Sequence, residues 1–218
     1  MRIFISLTSN NQLVPFNYQQ FITGAIHKWL GENIWHNQTS LYSFSLLIGG
    51  QQKGNKLLFP QSTGFFFSAF DSKMIKDLIR GIQVDPYINF GLTVNEIQVR
   101  ETPVFGNKHV FLVQSPVLVK RKIDGREVHF TYDQTETDIL LTETLGTKLE
   151  KAGLSKDGIN VRFDKGYIGA KTKVIYYNNI GNKANICPII IEGSQEQLEF
   201  AWNVGVGNST GIGFGMLK

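Results

Sequence analysis

Four histidines are the only side chains in this 218-residue sequence whose unperturbed pKa lies near neutral pH. They are therefore the natural candidates for general acid–base catalysis, in which each positioned group typically contributes on the order of 10² to 10⁴ in rate. His36 stands in Trp35-His36-Asn37-Gln38, a predicted loop between a helix and a strand, where side chains reach ligands. His27 lies opposite the apolar stripe of the preceding helix and is predicted to point outward. His109 and His129 lie in predicted strands, which favours structural or binding roles.

A glycine-rich stretch, residues 205–215, lies close to the end of the sequence and reads Gly-Val-Gly-Asn-Ser-Thr-Gly-Ile-Gly-Phe-Gly. Five of its eleven residues are glycine, so the backbone can adopt positive φ angles and bring its N–H groups against a phosphate. The spelling does not match the dinucleotide motif GxGxxG or the P-loop motif GxxxxGK[ST]. Glycines also serve tight turns and close packing, so a purely structural role stays open.

Positive charge is concentrated in two places. Residues 148–183 carry eight lysines and arginines against three acidic residues, although the whole chain has a net charge of only +4. A second cluster, Lys120, Arg121, Lys122 and Arg126, lies just before it. Such clusters favour a polyanionic partner such as RNA, and the alternative is a solvated surface without a partner.

Two segments of the chain resemble a known family. The tail with Gly-Phe-Gly at 213–215 is similar to the C-terminal signature of the CRISPR-associated endoribonucleases that cut precursor CRISPR RNA within its repeats. These enzymes are members of the repeat-associated RNA-binding (RAMP) superfamily. The stretch from the first helix through His36 to Leu-Tyr-Ser-Phe-Ser at 41–45 also resembles the family's catalytic segment.

The resemblance implies a reaction that needs no metal or other cofactor. The RNA's own 2'-hydroxyl attacks the neighbouring phosphate, which leaves a 2',3'-cyclic phosphate and a 5'-hydroxyl. His36 occupies the place of the family's catalytic histidine, and His27 occupies the place of a helix tyrosine, where it is expected to act as a second proton-transfer group. Thr39 and Ser40 replace the lysine that relatives carry in the following turn. Nothing in the sequence selects a substitute among three other lysines: Lys28, Lys53 and Lys56.

We expect an RNA-binding surface made of the two basic clusters and the glycine-rich stretch, and the cluster at residues 120–126 resembles in position the basic hairpin that relatives use at a repeat stem or strand. Its expected members are Lys120, Arg121, Lys122, Arg126, Lys165, Lys171, Lys173, Gly205, Gly207, Ser209, Thr210, Gly211, Gly213 and Gly215. Tyr167, Tyr176 and Tyr177 are interleaved with the lysines, and either stacking on unpaired bases or ordinary strand packing explains them. The expected partner is precursor CRISPR RNA, with CRISPR interference-complex subunits and a second copy of the chain as further candidates. A non-catalytic RNA-binding subunit of a CRISPR effector complex, or a general phosphate-ligand binder, are the alternatives.

The elements that position these residues follow from periodicity. In the first half the predicted order is strand, helix, strand, strand, helix, strand: 2–7, 18–30, 41–48, 64–70, 72–80 and 82–102. The second half repeats this order, with a hairpin turn at Asp124-Gly125 and helices over 133–152 and 195–203. We therefore predict an α+β protein of two tandem ferredoxin-like (βαββαβ) domains with a C-terminal glycine-rich loop. The predicted limits are 1–102 for the first domain, 103–108 for a linker and 109–218 for the second domain.

Composition excludes several other classes of protein. The 42% hydrophobic and 12% aromatic content indicates a folded protein. A single cysteine, Cys187, cannot form an intramolecular disulfide and favours a reducing compartment. We find no signal peptide and no 18-residue apolar run, so we expect a cytoplasmic protein with no membrane partner. The absence of HxxxH and CxxC motifs argues against a metal site.

Overall fold

The computed structural model describes residues 1–31, 39–61 and 63–218. The α-helices among these residues are α1 (Gln19–Leu30), α2 (Ser72–Val84), α3 (Thr135–Lys151) and α4 (Gln195–Val204). The strands are β1 (Arg2–Leu7), β2 (Val14–Pro15), β3 (Tyr42–Phe44), β4 (Gln51–Lys53), β5 (Lys56–Leu58), β6 (Thr63–Ala69), β7 (Tyr87–Asn89), β8 (Leu92–Arg100), β9 (Lys108–Phe111), β10 (Lys120–Ile123), β11 (Arg126–His129), β12 (Asn160–Phe163), β13 (Lys171–Tyr177), β14 (Ile180–Ile186) and β15 (Ile189–Glu192). A 3₁₀ helix, Thr210–Ile212, lies within the glycine-rich stretch.

The first half is built on an antiparallel sheet with the strand order β3–β6–β1–β8–β7. Ile3 pairs with Phe67 and Ile5 pairs with Phe65, so these four side chains share one face of the sheet. All four are fully buried in one hydrophobic cluster with the apolar residues of α1 and α2. The two helices therefore cover this face, as in a ferredoxin-like unit.

The second half repeats this arrangement, and the last residues of the chain occupy the place of the fourth strand. Its sheet has the order β12–β15–β9, and α3 and α4 pack in the same hydrophobic cluster as these strands. Beside β9, Val113 pairs with Leu217, and the amide of Lys218 donates to the carbonyl of Leu112 at 2.7 Å. The predicted fold of two tandem ferredoxin-like units is confirmed, and the predicted limits of the two domains stay a prediction.

The two halves are joined where α4 meets the open face of the first sheet. The Asn203 side-chain oxygen accepts hydrogen bonds from the Met1 ammonium at 2.9 Å and the Ser68 hydroxyl at 3.0 Å. The Arg2 guanidinium stacks 3.5 Å from the Trp202 ring centre and donates to the Trp202 carbonyl. Because α4 is anchored in this way, the glycine-rich stretch that follows it runs beside β3.

Three predicted boundaries differ from the structure. The helix predicted to end at Arg80 continues to Val84, because Ile82 extends the buried stripe of Leu78 and is itself 4% exposed. The segment between the second and third predicted strands forms a hairpin, β4–β5. The glycine-rich stretch is expected to return into a terminal strand at residues 213–217, but of these residues only Leu217 forms a bridge, to Val113.

Candidate active site

His27 lies at the meeting point of the two halves. Its Nε2 atom is 3.4 Å from the hydroxyl oxygen of Tyr42, and that hydroxyl donates to the carbonyl of Gly211 at 3.2 Å. Since the single hydroxyl proton is directed to this carbonyl, the hydroxyl oxygen is left to accept a hydrogen bond when Nε2 of His27 carries its proton. The imidazole is half-buried. His27 of the first half is thus connected through Tyr42 to the glycine-rich stretch of the second half.

Tyr42 holds its proton firmly. Burial raises its pKa to about 12, against which a hydrogen bond with Ser40 acts in the opposite direction. The side chain is only 5% exposed. At neutral pH the phenol is therefore a hydrogen-bond donor and not a general base, and its role toward His27 is to hold the ring. Nothing in the sequence distinguished Tyr42 from an ordinary strand residue.

The glycine-rich stretch is packed between the halves and is largely buried. A Cβ on Gly205 would lie 2.6 Å from the carbonyl oxygen of Gly215 and 3.0 Å from Cβ of Ser43. A Cβ on Gly211 would lie 3.0 Å from the Tyr42 hydroxyl. Gly205, Gly207, Gly213 and Gly215 also have positive φ angles. Here glycine is required both by backbone conformation and by close approach.

Most of the amides expected to hold phosphate are used within the protein. The amide of Gly205 donates to the Ala201 carbonyl, that of Gly213 to Thr210, and that of Gly215 to Pro116. These three amides are thus engaged within the protein, where the glycines serve packing and turns, and the phosphate contacts predicted for them stay predictions. Gly207 is buried too, whereas Ser209 is half-buried and in the left-handed region, with φ of 62°. Ser209 is the predicted phosphate contact in this stretch that keeps access to solvent.

A buried lysine, Lys148, forms hydrogen bonds with the glycine-rich stretch. Lys148 of α3 is 3% exposed, and its Nζ atom lies 3.0 Å from the Thr210 hydroxyl and 3.3 Å from the Gly205 carbonyl. Burial lowers the pKa of Lys148 to about 7. Thr210 therefore serves this contact and is 1% exposed. The burial of Lys148 could be predicted from the sequence, because Lys148 falls on the apolar stripe of α3 that includes Leu145.

Lys151, one turn later on α3, reaches the opposite half. Its Nζ atom donates to the hydroxyl of Thr39, and Lys151 itself is exposed. It takes part in no ion pair within the described ranges 1–31, 39–61 and 63–218. The structure therefore brings a cation from the second half to Thr39, one of the two residues that stand where relatives have a lysine.

His36 lies outside the described residues, so its predicted catalytic role is not tested by the structure. The described residues on either side of residues 32–38 are placed near the cluster of His27 and Tyr42. Gly31 ends α1 one turn after His27, and Ser40 approaches Gly211, where a Cβ would lie 2.9 Å from Cβ of Ser40.

The basic hairpin β10–β11 presents fewer unpaired cations than its sequence suggests. Lys120 forms an ion pair with Glu127 at 2.5 Å. The Arg121 guanidinium turns back to α3, where it donates to the Leu140 carbonyl and the Thr144 hydroxyl, both at 3.0 Å. These contacts engage Arg121 within the protein, and the RNA contact predicted for it stays a prediction. Lys122 and Arg126 are exposed, and neither forms an ion pair with another described residue.

The remaining predicted cations also divide into paired and unpaired groups. Lys165 forms an ion pair with Asp138 at 2.8 Å. Lys171 and Lys173 are exposed on β13 without an acidic partner among residues that the structure describes. Lys28 forms an ion pair with Asp85 at 2.7 Å and is thereby directed away from the cluster. Of the three candidate substitutes for the turn lysine, Lys53 and Lys56 lie together on the β4–β5 hairpin.

The two other histidines are distant in the chain from this cluster and have other contacts. His109 packs against Phe105 and Phe111, with ring centres 5.1 and 4.5 Å apart. His129 lies on β11 opposite Lys120. In the described part of the chain no group of three or more His, Cys, Asp or Glu side chains is placed to hold a metal ion. No described helix combines the length and the apolar character that a membrane span requires.

The chain consists of two ferredoxin-like halves with a buried glycine-rich tail between them. Comparisons with known structures support this fold. The chain superposes on the structure of a Cas6-related protein from Pyrococcus furiosus with a TM-score of 0.87 and 21% identity, covering 100% of this chain and 97% of the other. It superposes on a RAMP protein described as binding different RNA substrates with a TM-score of 0.86 and 20% identity, covering 100% and 98%. At these identities the likeness establishes the fold.

The sequence comparisons give the family. Residues 100–218, more than half of the chain, match the family model described as CRISPR associated protein Cas6, C-terminal. The chain is also 23% identical to a CRISPR-associated endoribonuclease-like protein Cas6 of Pyrococcus furiosus over 239 aligned residues, which span 100% of this chain and 98% of the relative. The chain therefore belongs to the Cas6 family of CRISPR-associated proteins, which confirms the resemblance seen in its tail.

Proposed function

We propose that this protein is a metal-independent endoribonuclease that cuts precursor CRISPR RNA within its repeats and so releases mature guide RNAs. The observation that carries the proposal is the cluster of His27, Tyr42 and Gly211, in a chain of the Cas6 family, with Lys151 nearby at Thr39. The imidazole that Tyr42 contacts supplies one of the two proton-transfer groups that RNA self-cleavage needs, and the exposed cation bonded to Thr39 supplies a charge for the phosphorane.

In this proposal the reaction is an internal transfer at phosphorus. One imidazole takes the proton of the 2'-hydroxyl, and the 2'-oxygen attacks the adjacent phosphorus. As the bond from phosphorus to the 5'-oxygen breaks, a second group gives a proton to that oxygen. His36 and His27 are the proposed pair, Tyr42 positions His27, and Lys151 offsets the charge on the phosphorane. The products are a 2',3'-cyclic phosphate and a 5'-hydroxyl.

The test compares cleavage by histidine variants, with RNA transcribed from the CRISPR repeat next to the protein's gene as the substrate. His36→Ala and His27→Ala should each lower the single-turnover rate by about 10² or more while leaving RNA binding unchanged. Replacing the 2'-hydroxyl at the cut by hydrogen should abolish cleavage, whereas EDTA should have no effect. Undiminished cleavage by His36→Ala would remove that residue from the mechanism, and loss of activity in EDTA would contradict the metal-independent scheme.

A non-catalytic RNA-binding subunit of a CRISPR effector complex is the second candidate function. The observation that favours it is the pair Thr39 and Ser40 at the place of the relatives' lysine. Lys151→Ala distinguishes the two candidate functions by testing the role of the cation, whereas the histidine variants test proton transfer. A catalytic protein in which Lys151 supplies the missing charge should lose rate at saturating RNA, whereas a pure binder should show no cleavage with or without Lys151.

RNA binding is proposed to use the unpaired cations of the second half, namely Lys122, Arg126, Lys171 and Lys173. Lys122→Ala should weaken RNA binding and lower the slope of log K against log[salt] by about 0.7 for a single-stranded contact. Lys76→Ala, an exposed lysine on α2 of the first half, removes the same charge and should leave the slope unchanged. Equal slopes in both variants would exclude the hairpin from the RNA-binding surface. Binding to interference-complex subunits and dimerisation stay predictions.

A further inference from the structure

A groove of about 810 Å³ opens on the surface beside the start of α1. Its walls are residues 15–19, the β4–β5 hairpin and the β13–β14 hairpin, and Leu46 of the first half completes the lining. The first two walls belong to the first half and the third belongs to the second half. The groove therefore lies across the junction of the two halves, as the cluster of His27 and Tyr42 does.

Two aromatic side chains in the groove are exposed. Phe16 is 50% exposed and Tyr176 is 57% exposed, and they come from walls on different halves of the chain. Tyr176 stands opposite Gly181 on β14, so the pairing strand contributes no side chain to cover it. Exposed aromatic rings in a concave site are typical of binding surfaces, and every nucleobase has a flat face that can stack on such rings.

The polar lining of the groove is entirely neutral or positive. Lys56 and Lys173 line it, and neither lies within ion-pairing distance of a carboxylate in the described chain. No Asp or Glu occurs among the described residues that form the walls. The other polar groups are mainly carboxamides such as Gln52 and Asn55, which can both donate to and accept from the edge of a base.

We propose that this groove binds an unpaired nucleotide of the RNA substrate. The base stacks on Phe16 and Tyr176, the carboxamides contact its edge, and Lys56 and Lys173 contact the flanking phosphates. The inference rests on the proposed function, because it assigns a second contact to the same RNA. A single-stranded segment fits this site better than a duplex, whose bases present no free faces.

The position of the groove relative to His27 predicts where this nucleotide lies in the RNA. Gln19, in the first turn of α1, lines the groove, and His27 follows eight residues later, which corresponds to about 12 Å along the helix. Gly24 lies between them on the exposed side of α1, and a Cβ there would meet nothing within 4 Å. At about 3.4 Å per stacked nucleotide, the docked base lies within about four nucleotides of the cleaved phosphate.

The experiment is a scan with abasic RNA. A series of repeat RNAs, each with one abasic sugar at an unpaired position, is measured for binding to the wild-type protein and to the double variant Phe16→Ala, Tyr176→Ala. In the wild type, an abasic sugar within about four nucleotides of the cut should weaken binding about 5-fold to 100-fold. The double variant should bind intact RNA weakly by the same factor and show no further loss at that position. Tyr87→Ala, a similarly exposed tyrosine on β7, is the control and should keep the wild-type abasic profile.

Two outcomes distinguish the failure of this inference from the failure of the proposed function. If the wild type cuts repeat RNA and the double variant shows the same abasic profile as Tyr87→Ala, the groove does not hold a base and the inference is wrong. If the wild type neither binds nor cuts repeat RNA, the proposed function fails first. Tight binding of a free mononucleotide, unaffected by the flanking RNA, would overturn the assignment to an RNA chain.

Discussion

Replacing Lys148 by methionine should remove a pH dependence from the stability of the protein. Methionine keeps the length of the side chain but cannot ionise. The Lys148 ammonium lies among the Thr210 hydroxyl and the Val204 and Gly205 carbonyls, and no described carboxylate is within ion-pairing distance. Removing the amine therefore also removes a charge that the folded state tolerates poorly.

The magnitude follows from the pKa. Burial lowers the pKa of Lys148 from 10.5 to about 7, so above pH 7 the folded chain releases a proton that the unfolded chain still binds. Where the unfolded state binds more protons, stability rises with pH. Charging Lys148 thus costs about 5 kcal/mol below pH 7, and this cost fades as the pH approaches 10.5. About 2 kcal/mol of it is recovered between pH 7 and pH 9.

Urea unfolding followed by intrinsic tryptophan fluorescence measures this effect. The wild type should gain about 2 kcal/mol in unfolding free energy between pH 7 and pH 9 relative to Lys148→Met, which corresponds to about 4 to 8 °C in Tm. Other groups also titrate across this range: burial lowers the pKa of the Met1 ammonium and raises that of Cys187. They are present in both proteins, so the difference isolates Lys148. Lys151→Met, the exposed neighbour one turn away, should keep the wild-type pH dependence.

The reasoning would be refuted by parallel pH profiles for the wild type and Lys148→Met. Such a result would mean that Lys148 is protonated to the same extent in the folded and the unfolded chain. The buried environment drawn from its contacts with Thr210 and Gly205 would then be wrong.

Two further predictions concern side chains and backbone near the candidate site. The same change, glycine to alanine, should have opposite effects in two helices. Gly24→Ala should raise the unfolding free energy by about 0.5 to 1 kcal/mol, because a Cβ on Gly24 would meet no other atom within 4 Å. Gly81→Ala should lower it by about 1 to 3 kcal/mol, because a Cβ on Gly81 would lie 2.5 Å from Trp29 Cα. Denaturant titration measures both, and equal shifts would contradict the close contact of α1 with α2. Tyr42→Phe should cost about 1 to 3 kcal/mol by leaving the Gly211 carbonyl without its donor, and it should lower the cleavage rate more than RNA affinity. An unchanged rate in a folded Tyr42→Phe protein would show that the phenol does not position His27.

Much of the fold could be predicted from local patterns. The apolar repeat of α1 and the alternation in β1 are periodic over many residues, so their types were correct even where their ends were not. The Asp124-Gly125 pair predicted a two-residue hairpin turn, and both residues have positive φ, at 49° and 78°. These features can be predicted because hydrophobic periodicity and turn propensity depend on residues that are close together in the sequence.

The roles of the cations and glycines depended on the tertiary structure. The sequence marked Lys120, Arg121, Lys122 and Arg126 as one basic cluster, and only folding determined that Glu127 and α3 take up the first two. In the same way, glycine richness in the tail was visible, but whether its amides face a phosphate or a carbonyl depends on Pro116, about a hundred residues earlier.

The sequence by itself therefore determined the order of the main elements, the two-unit fold and the position of His27 on the first helix, because periodicity and turn chemistry are local. Tertiary structure alone decided that Tyr42 meets both His27 and Gly211 and that Lys148 is buried. A charge or a hydrogen-bond donor is available for chemistry only if no distant partner has already used it, and distant partners are chosen by packing.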